Sequence, residues 1–317
     1  MTDDGCLIGA AAGRAAPRRL RLPRAFTICV LLLASVIRHP SPLEAQSASL
    51  PPVVSAEWLA TQLGRPGVVV LHIGSDSSYR AAHVPGALRL DFERVIIAPT
   101  QPGGLRMELP AGEALQEGLR TLGVRDVSRI VLVFDAPPRM LQAGRAFFTL
   151  EWAGLRGRVA VLDGGLPAWR SSVARSVASG AGRRVVAGDV RLAPDASRVV
   201  SREGVQETIA DASRVLIDAR TEQFFTPTEL GGGPNGGHIE SAVSLPFTSV
   251  TDAQGRFKPR EDIERLLIAT GVLPDERAVA YCHIGLQASW VYLALRHIGR
   301  DVALYDGAYE DWSRAQR

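Results

Sequence analysis

Lysine is almost missing from these 317 residues: Lys258 is the only one, and arginine carries the rest of the positive charge. With arginine this common, a single Arg in a motif says little by itself, because structural ion pairs use many of them. Cysteine is also scarce, with only Cys6, Cys29 and Cys282, which excludes a disulfide-stapled scaffold. At 46% hydrophobic and 22% charged residues the chain folds around its own core, and its length suits two domains. The histidines are scattered and no metal-ligand spacing stands out, so neither metal nor cofactor is expected.

An excess of charge is missing too, once its source is located. The formal net charge is +3, but residues 1–45 hold six of the 36 basic residues and three of the 33 acidic ones, leaving thirty of each. That balance removes the electrostatic case for a nucleic-acid partner. The first 45 residues read as a signal peptide: Arg-rich residues 14–24, the apolar run Ala25–Ile37, then Leu43-Glu44-Ala45-Gln46 as a cleavage site. The run is shorter than the roughly 20 residues of a spanning helix, so the expectation is export to a periplasmic or extracellular location and no permanent membrane span. An uncleaved leader acting as a tether is the alternative. Cys6 and Cys29 leave with the leader, and Cys282 then has no internal disulfide partner.

The remainder repeats itself. Val54-Ser55-Ala56-Glu57-Trp58 before the run Val68–Ile73 answers Val200-Ser201-Arg202-Glu203-Gly204 before Val215–Ile217. His83-Val84-Pro85-Gly86-Ala87 answers His238-Ile239-Glu240-Ser241-Ala242, and Asp163 with Trp169 answers Asp306 with Trp312. Two copies of one module follow, residues 48–176 and 198–317, joined by a linker at 177–197. In each copy β-branched runs (Val68–Ile73, Ile130–Phe134, Val159–Leu162; Val215–Ile217, Ala278–Tyr281, Val302–Tyr305) alternate with helix-period segments such as Asp262–Ala269 and Ala288–Ile298. This order predicts an α/β fold with a mostly parallel sheet flanked by helices in each copy, with ligands beyond the carboxyl ends of the strands.

One strand end carries candidate chemistry. Arg277–Tyr281 reads as a buried strand, Cys282 ends it, His283-Ile284-Gly285-Leu286-Gln287 makes a loop, and a helix starts at Ala288. Backbone N–H groups of such a loop and first helical turn point inward, where they stabilise a thiolate and lower the thiol pKa. A cysteine phosphatase would need an Arg at the position of Ala288 to grip phosphoryl oxygens. The run Gly231–Gly237 lacks the Lys-Ser/Thr of a phosphate loop and reads as a flexible insertion.

Cys282 with its five-residue loop, the upstream Gly-His-Ile-x-x-Ala around His238 and the downstream Asp-Gly-x-x-x-Trp from Asp306 resemble the rhodanese superfamily, and the duplication resembles its tandem-domain sulfurtransferases. The resemblance implies two rhodanese-like domains, the second catalytic and the first structural. Asp135 stands where the sequence alignment puts the counterpart of Cys282, and the first copy has no thiol. It further implies an enzyme that moves a sulfane sulfur from thiosulfate or 3-mercaptopyruvate to a thiophilic acceptor, cyanide or a thiol, through a persulfide on Cys282. A non-enzymatic module that binds a protein partner or a sulfur species is the alternative. Asp218-Ala219-Arg220 resembles the family's Asp-x-Arg element, while the second Arg of several tandem members is replaced by Gln223-Phe224-Phe225. Arg220 and His283 are then the charge partners left for a donor anion, and Asp218 and His238 lend structural support. His83 and His238 share a role in a turn, since both copies carry them.

Overall fold

The computed structural model describes residues 49–172, 176–226 and 236–316; the leader, with Cys6 and Cys29, lies outside them. The first repeat forms β1 (Val53–Val54), β2 (Val68–Ile73), β3 (Leu88–Arg89), β4 (Arg129–Phe134) and β5 (Val159–Leu162), and the second β6 (Val199–Val200), β7 (Arg214–Asp218), β8 (Val243–Ser244), β9 (Arg277–Tyr281) and β10 (Val302–Tyr305). The two sheets have orders β1-β5-β4-β2-β3 and β6-β10-β9-β7-β8, and every strand pair is parallel. The α/β expectation holds in both repeats. The outer strands are two residues long, too short to leave a period in the sequence.

Register turns the sequence repeat into a structural one. Ser55 caps α1 (Ala56–Gln62) by accepting from Trp58 N–H, and Ser201 caps the equivalent helix Arg202–Ala210 by accepting from Gly204 N–H. Val54 faces Leu162 as Val200 faces Tyr305, Leu132 faces Val161 as Ala280 faces Leu304, and His72 faces Val133 as Asp218 faces Tyr281. The residue after Val133 therefore answers Cys282, and it is Phe134; Asp135 answers His283. Matching the ends of the apolar runs puts Asp135 opposite the cysteine, one residue off, because Phe134 reads as a continuation of the strand. In the first repeat a buried phenyl ring occupies the thiol's place.

The repeats share one core. Phe134, Phe147, Phe148, Trp290, Tyr292 and Cys282 belong to a single buried cluster spanning both halves, and separate clusters line the outer faces of the sheets. At the centre of this seam α2 (Met140–Leu150) packs on α3 (Leu286–Ile298). Residues Ala288–Leu295 of α3 are all buried, which explains why seven of the eight are hydrophobic or aromatic; the eighth, Ser289, donates to Gly285 O at 2.6 Å. Gly144 permits the close approach: a Cβ there would sit 3.0 Å from Trp290 N. Glu151, almost fully buried, accepts from Tyr292 Oη at 2.8 Å and Arg296 Nε at 2.9 Å, closing the seam with a satisfied charge.

The connection read as a linker is laid along the first repeat. Ala178 bridges to His83, Gly188 N–H donates to Arg120 O, and Val190 is fully buried. No helix among the described residues is long and apolar enough to cross a membrane.

The seam yields a test. Gly144→Leu forces a side chain against Trp290 backbone, and overpacking of this kind costs about 1–3 kcal/mol. Denaturant unfolding of the variant is expected to show a lower midpoint with the same slope.

Candidate active site

Burial as the end of β9 carries Cys282 to 1% exposure, facing the seam. The chain then turns through residues 283–285, and α3 starts at Leu286, two residues before the expected helix. Gly285 is its N-cap at φ +87°, a left-handed conformation that favours glycine. A Cβ there would also lie 3.0 Å from Arg145 Nη1. The backbone N–H groups of Ile284, Gly285, Gln287 and Ala288 converge on the Cys282 sulfur. The side chains of Ile284, Leu286 and Gln287 remain partly exposed, whereas Ala288 is fully buried. The carbonyls of Cys282 and His283 accept from Tyr309 N–H (2.8 Å) and Glu310 N–H (3.1 Å), pinning the loop to the helix Ala308–Ala315.

The cradle expected from the sequence is present, but its effect on the free thiol is outweighed. Burial pushes the Cys282 thiol up from its ordinary pKa, and the four N–H groups oppose that without reversing it. The resting group is a thiol, and the cradle serves whichever form of the sulfur is charged.

Asp218 and Arg220 are both fully buried. Arg220 Nε donates to Asp218 Oδ1 at 2.9 Å, Nη2 donates to Asp218 Oδ2 and to Gly237 O, both at 2.6 Å, and the guanidinium stacks 4.2 Å from the centre of the Tyr309 ring. Asp218 also accepts from Tyr281 Oη at 2.8 Å, and that oxygen accepts from Ile239 N–H. The sequence aimed Arg220 at the donor, and the structure turns it inward, onto Asp218, the Gly237 carbonyl and the Tyr309 ring. Removing one partner of such a buried pair costs about 3–5 kcal/mol. His283 packs edge-on against Phe224 with ring centres 4.4 Å apart. Burial, with Arg220 adding to it, lowers its pKa to about 4, so at neutral pH it is uncharged and offers a donor anion no positive charge.

His238 Nδ1 bonds Phe225 O at 2.9 Å and its ring stacks on Phe225; His83 Nδ1 bonds Tyr79 O at 2.7 Å and stacks on Tyr79. The two histidines hold the same turn in both repeats. Asp163 accepts from Phe257 N–H and Asp306 from Leu109 N–H, each at 2.9 Å, so each aspartate caps a loop of the other repeat. Of the glycine run only Gly236 and Gly237 are described, their carbonyls accepting from Tyr309 Oη and Arg220. No group of metal-ligating side chains occurs among the described residues.

Sequence reasoning missed Arg145, a lone charge in the otherwise apolar α2. That isolation was the available signal. Its side chain is fully buried, with Nη1 2.6 Å from Asp306 Oδ1, off the direction of its N–H bonds and thus an ion pair without a hydrogen bond. Nη2 donates to Met107 O. Met107 is at φ +60°, a left-handed conformation costly for a side chain that size. The first repeat thus places a guanidinium against the cysteine loop of the second.

Comparison with known proteins agrees with this geometry. The Rhodanese-like domain family model matches residues 55–172 and 201–315. The "Probable 3-mercaptopyruvate sulfurtransferase" of Pseudomonas aeruginosa is 32% identical over 271 residues, covering 82% of this chain and 94% of that protein. The thiosulfate sulfurtransferase of Corynebacterium glutamicum is 27% identical, covering 84% and 88%. The crystal structure of SseA from Escherichia coli, described in terms of the rhodanese fold and the mechanism of 3-mercaptopyruvate sulfotransferases, superposes with a TM-score of 0.70 at 26% identity, covering 81% of this chain and 98% of that one.

With the thiol pKa raised, the rate of Cys282 alkylation by iodoacetamide is expected to keep rising with pH through 8.5, the ordinary thiol value. A plateau reached below pH 8 would show that the amide cradle outweighs burial.

Proposed function

The chain belongs to the rhodanese family and is a sulfurtransferase, and from that premise we propose that it works through a persulfide on Cys282. The observation that carries this reading is the convergence of four backbone N–H groups on one buried sulfur. In the donor half-reaction the Cys282 thiol gives up its proton to water and the thiolate attacks the transferable sulfur of the donor, the outer sulfur of thiosulfate or the single sulfur of 3-mercaptopyruvate. The new S–S bond forms as the donor's bond to that sulfur breaks, and the electron pair leaves with sulfite from thiosulfate or with the pyruvate carbon from 3-mercaptopyruvate, which is then protonated. The enzyme-bound persulfide carries its negative charge on the outer sulfur. Fixed dipoles at the loop stabilise that charge without reorganising. In the second half-reaction an acceptor, cyanide or a thiol, attacks the outer sulfur and returns the Cys282 thiolate.

Donors and acceptors are small molecules in this reading. Ala288 gives its N–H to the sulfur and has no side chain to grip a phosphoryl group, which favours sulfur over phosphoryl transfer. We further propose that residues 1–45 direct export and are cleaved after Ala45, on the strength of their Arg-rich segment and short apolar run. An exported protein that still begins at Met1 would refute this.

Incubation with thiosulfate, or separately with 3-mercaptopyruvate, is expected to add the mass of one sulfur atom to the intact protein. Cyanide reverses the adduct, and Cys282→Ser abolishes it. An adduct that persists in Cys282→Ser would place the sulfur elsewhere.

A further inference from the structure

A sulfur donor of either kind is an anion, and the two groups that the sequence offered to its charge do not serve: Arg220 is buried on Asp218, and His283 is uncharged at neutral pH. The mouth of the loop has another cation. Arg106 lies in the first repeat, beside the Met107 carbonyl that Arg145 grips and close to Leu109, whose N–H donates to Asp306. Its backbone N–H and Nε both donate to Glu310 (3.2 and 3.3 Å), and Glu310 N–H donates to the carbonyl of His283, the residue next to Cys282. The Arg106 charge is felt at the His283 ring. Glu310 is also paired with Arg314 at 2.7 Å, and Glu108 adds a carboxyl to the same rim, close enough to feel Glu310 and Asp306. The Arg106 side chain is 57% exposed, and with Nε on Glu310 its Nη1 and Nη2 hold no hydrogen bond among the described residues. They form an open fork of the kind that matches an oxyanion.

We propose that Arg106 receives the anionic group of the sulfur donor at the mouth of the Cys282 loop, so that the repeat lacking a thiol supplies the donor's charge partner. The proposal rests on the persulfide reading above and names its donor class: small sulfane donors that present a carboxylate or a sulfonate-like group beside the transferable sulfur. Arg106 is a binding residue here, with the Arg145–Asp306 pair and the Met107 carbonyl fixing its position. A donor held there keeps its oxyanion group at the rim and sends its transferable sulfur inward.

The test measures steady-state transfer to dithiothreitol by the full chain and by Arg106→Ala and Arg106→Lys, with thiosulfate, with 3-mercaptopyruvate and with a small alkyl persulfide that has no carboxylate or sulfonate group as donors. For both anionic donors Arg106→Ala is expected to raise KM roughly ten- to a hundredfold, the range of one hydrogen bond to a charged group, with a smaller change in kcat. Arg106→Lys restores part of the loss, because it keeps the charge and gives up the fork. The alkyl persulfide, with no oxyanion for Arg106 to hold, is used equally well by all three proteins. Two results overturn the proposal: a KM for thiosulfate and 3-mercaptopyruvate within twofold of the unaltered chain, or an equal loss with the alkyl persulfide, which would mark Arg106 as structural. Failure of the persulfide reading would show separately, as an unaltered chain that takes no sulfur on Cys282 from any donor by intact mass, and that result would overturn both.

Discussion

The ion pair between Arg145 and Asp306 is the contact that joins the two repeats at the reactive centre. Burying a guanidinium is costly unless its charge is met, and here it is met across the seam: Arg145 comes from the first repeat, Asp306 from the second. Around this pair lie the Gly285 turn that starts α3, the strained Met107 whose carbonyl Arg145 holds, and the Leu109 N–H on the other Asp306 oxygen. The thiol-less repeat is therefore more than a scaffold. It supports the cysteine loop from behind and sets the segment that carries Arg106 at the loop's mouth.

The electrostatics of the site separate two tasks. Side-chain charge near the Cys282 loop is neutralised inside the fold: Asp218 and Arg220 cancel each other, and His283 is uncharged. What remains at the sulfur is a set of backbone dipoles, which carry no net charge and need no counter-ion. Burial opposes ionisation of the free thiol, and those dipoles favour whichever form of the sulfur is charged. The same low dielectric that raises the thiol's pKa strengthens each N–H contact to the charged form.

The fold was legible wherever the sequence signal was local. The six long apolar runs became the inner strands within a residue, the paired Ser caps and histidine turns marked the duplication, and the cysteine loop stood out by its order of residues. Legibility failed where a neighbour distant in sequence decided the outcome. The place of Phe134 opposite Cys282 is set by register with β2 and β5, which no reading of one run supplies. The direction of Arg220 depends on Asp218, Tyr281 and Tyr309 surrounding it, and the thiol pKa on a seam whose depth the sequence does not reveal. Arg145 carried a local signal, a charge on an apolar helix, but its partner lies 161 positions away in the chain.

The central claim is that the two repeats act on Cys282 as one unit through the Arg145–Asp306 contact. A double-mutant cycle with Arg145→Met and Asp306→Asn, read as the single-turnover rate of Cys282 persulfide formation, tests it most directly. Each single change is expected to slow loading and the double change to slow it no further than the worse single one, a coupling of about 1 kcal/mol or more, as for residues in contact. Single changes that leave the rate untouched, or losses that multiply in the double variant, would contradict it.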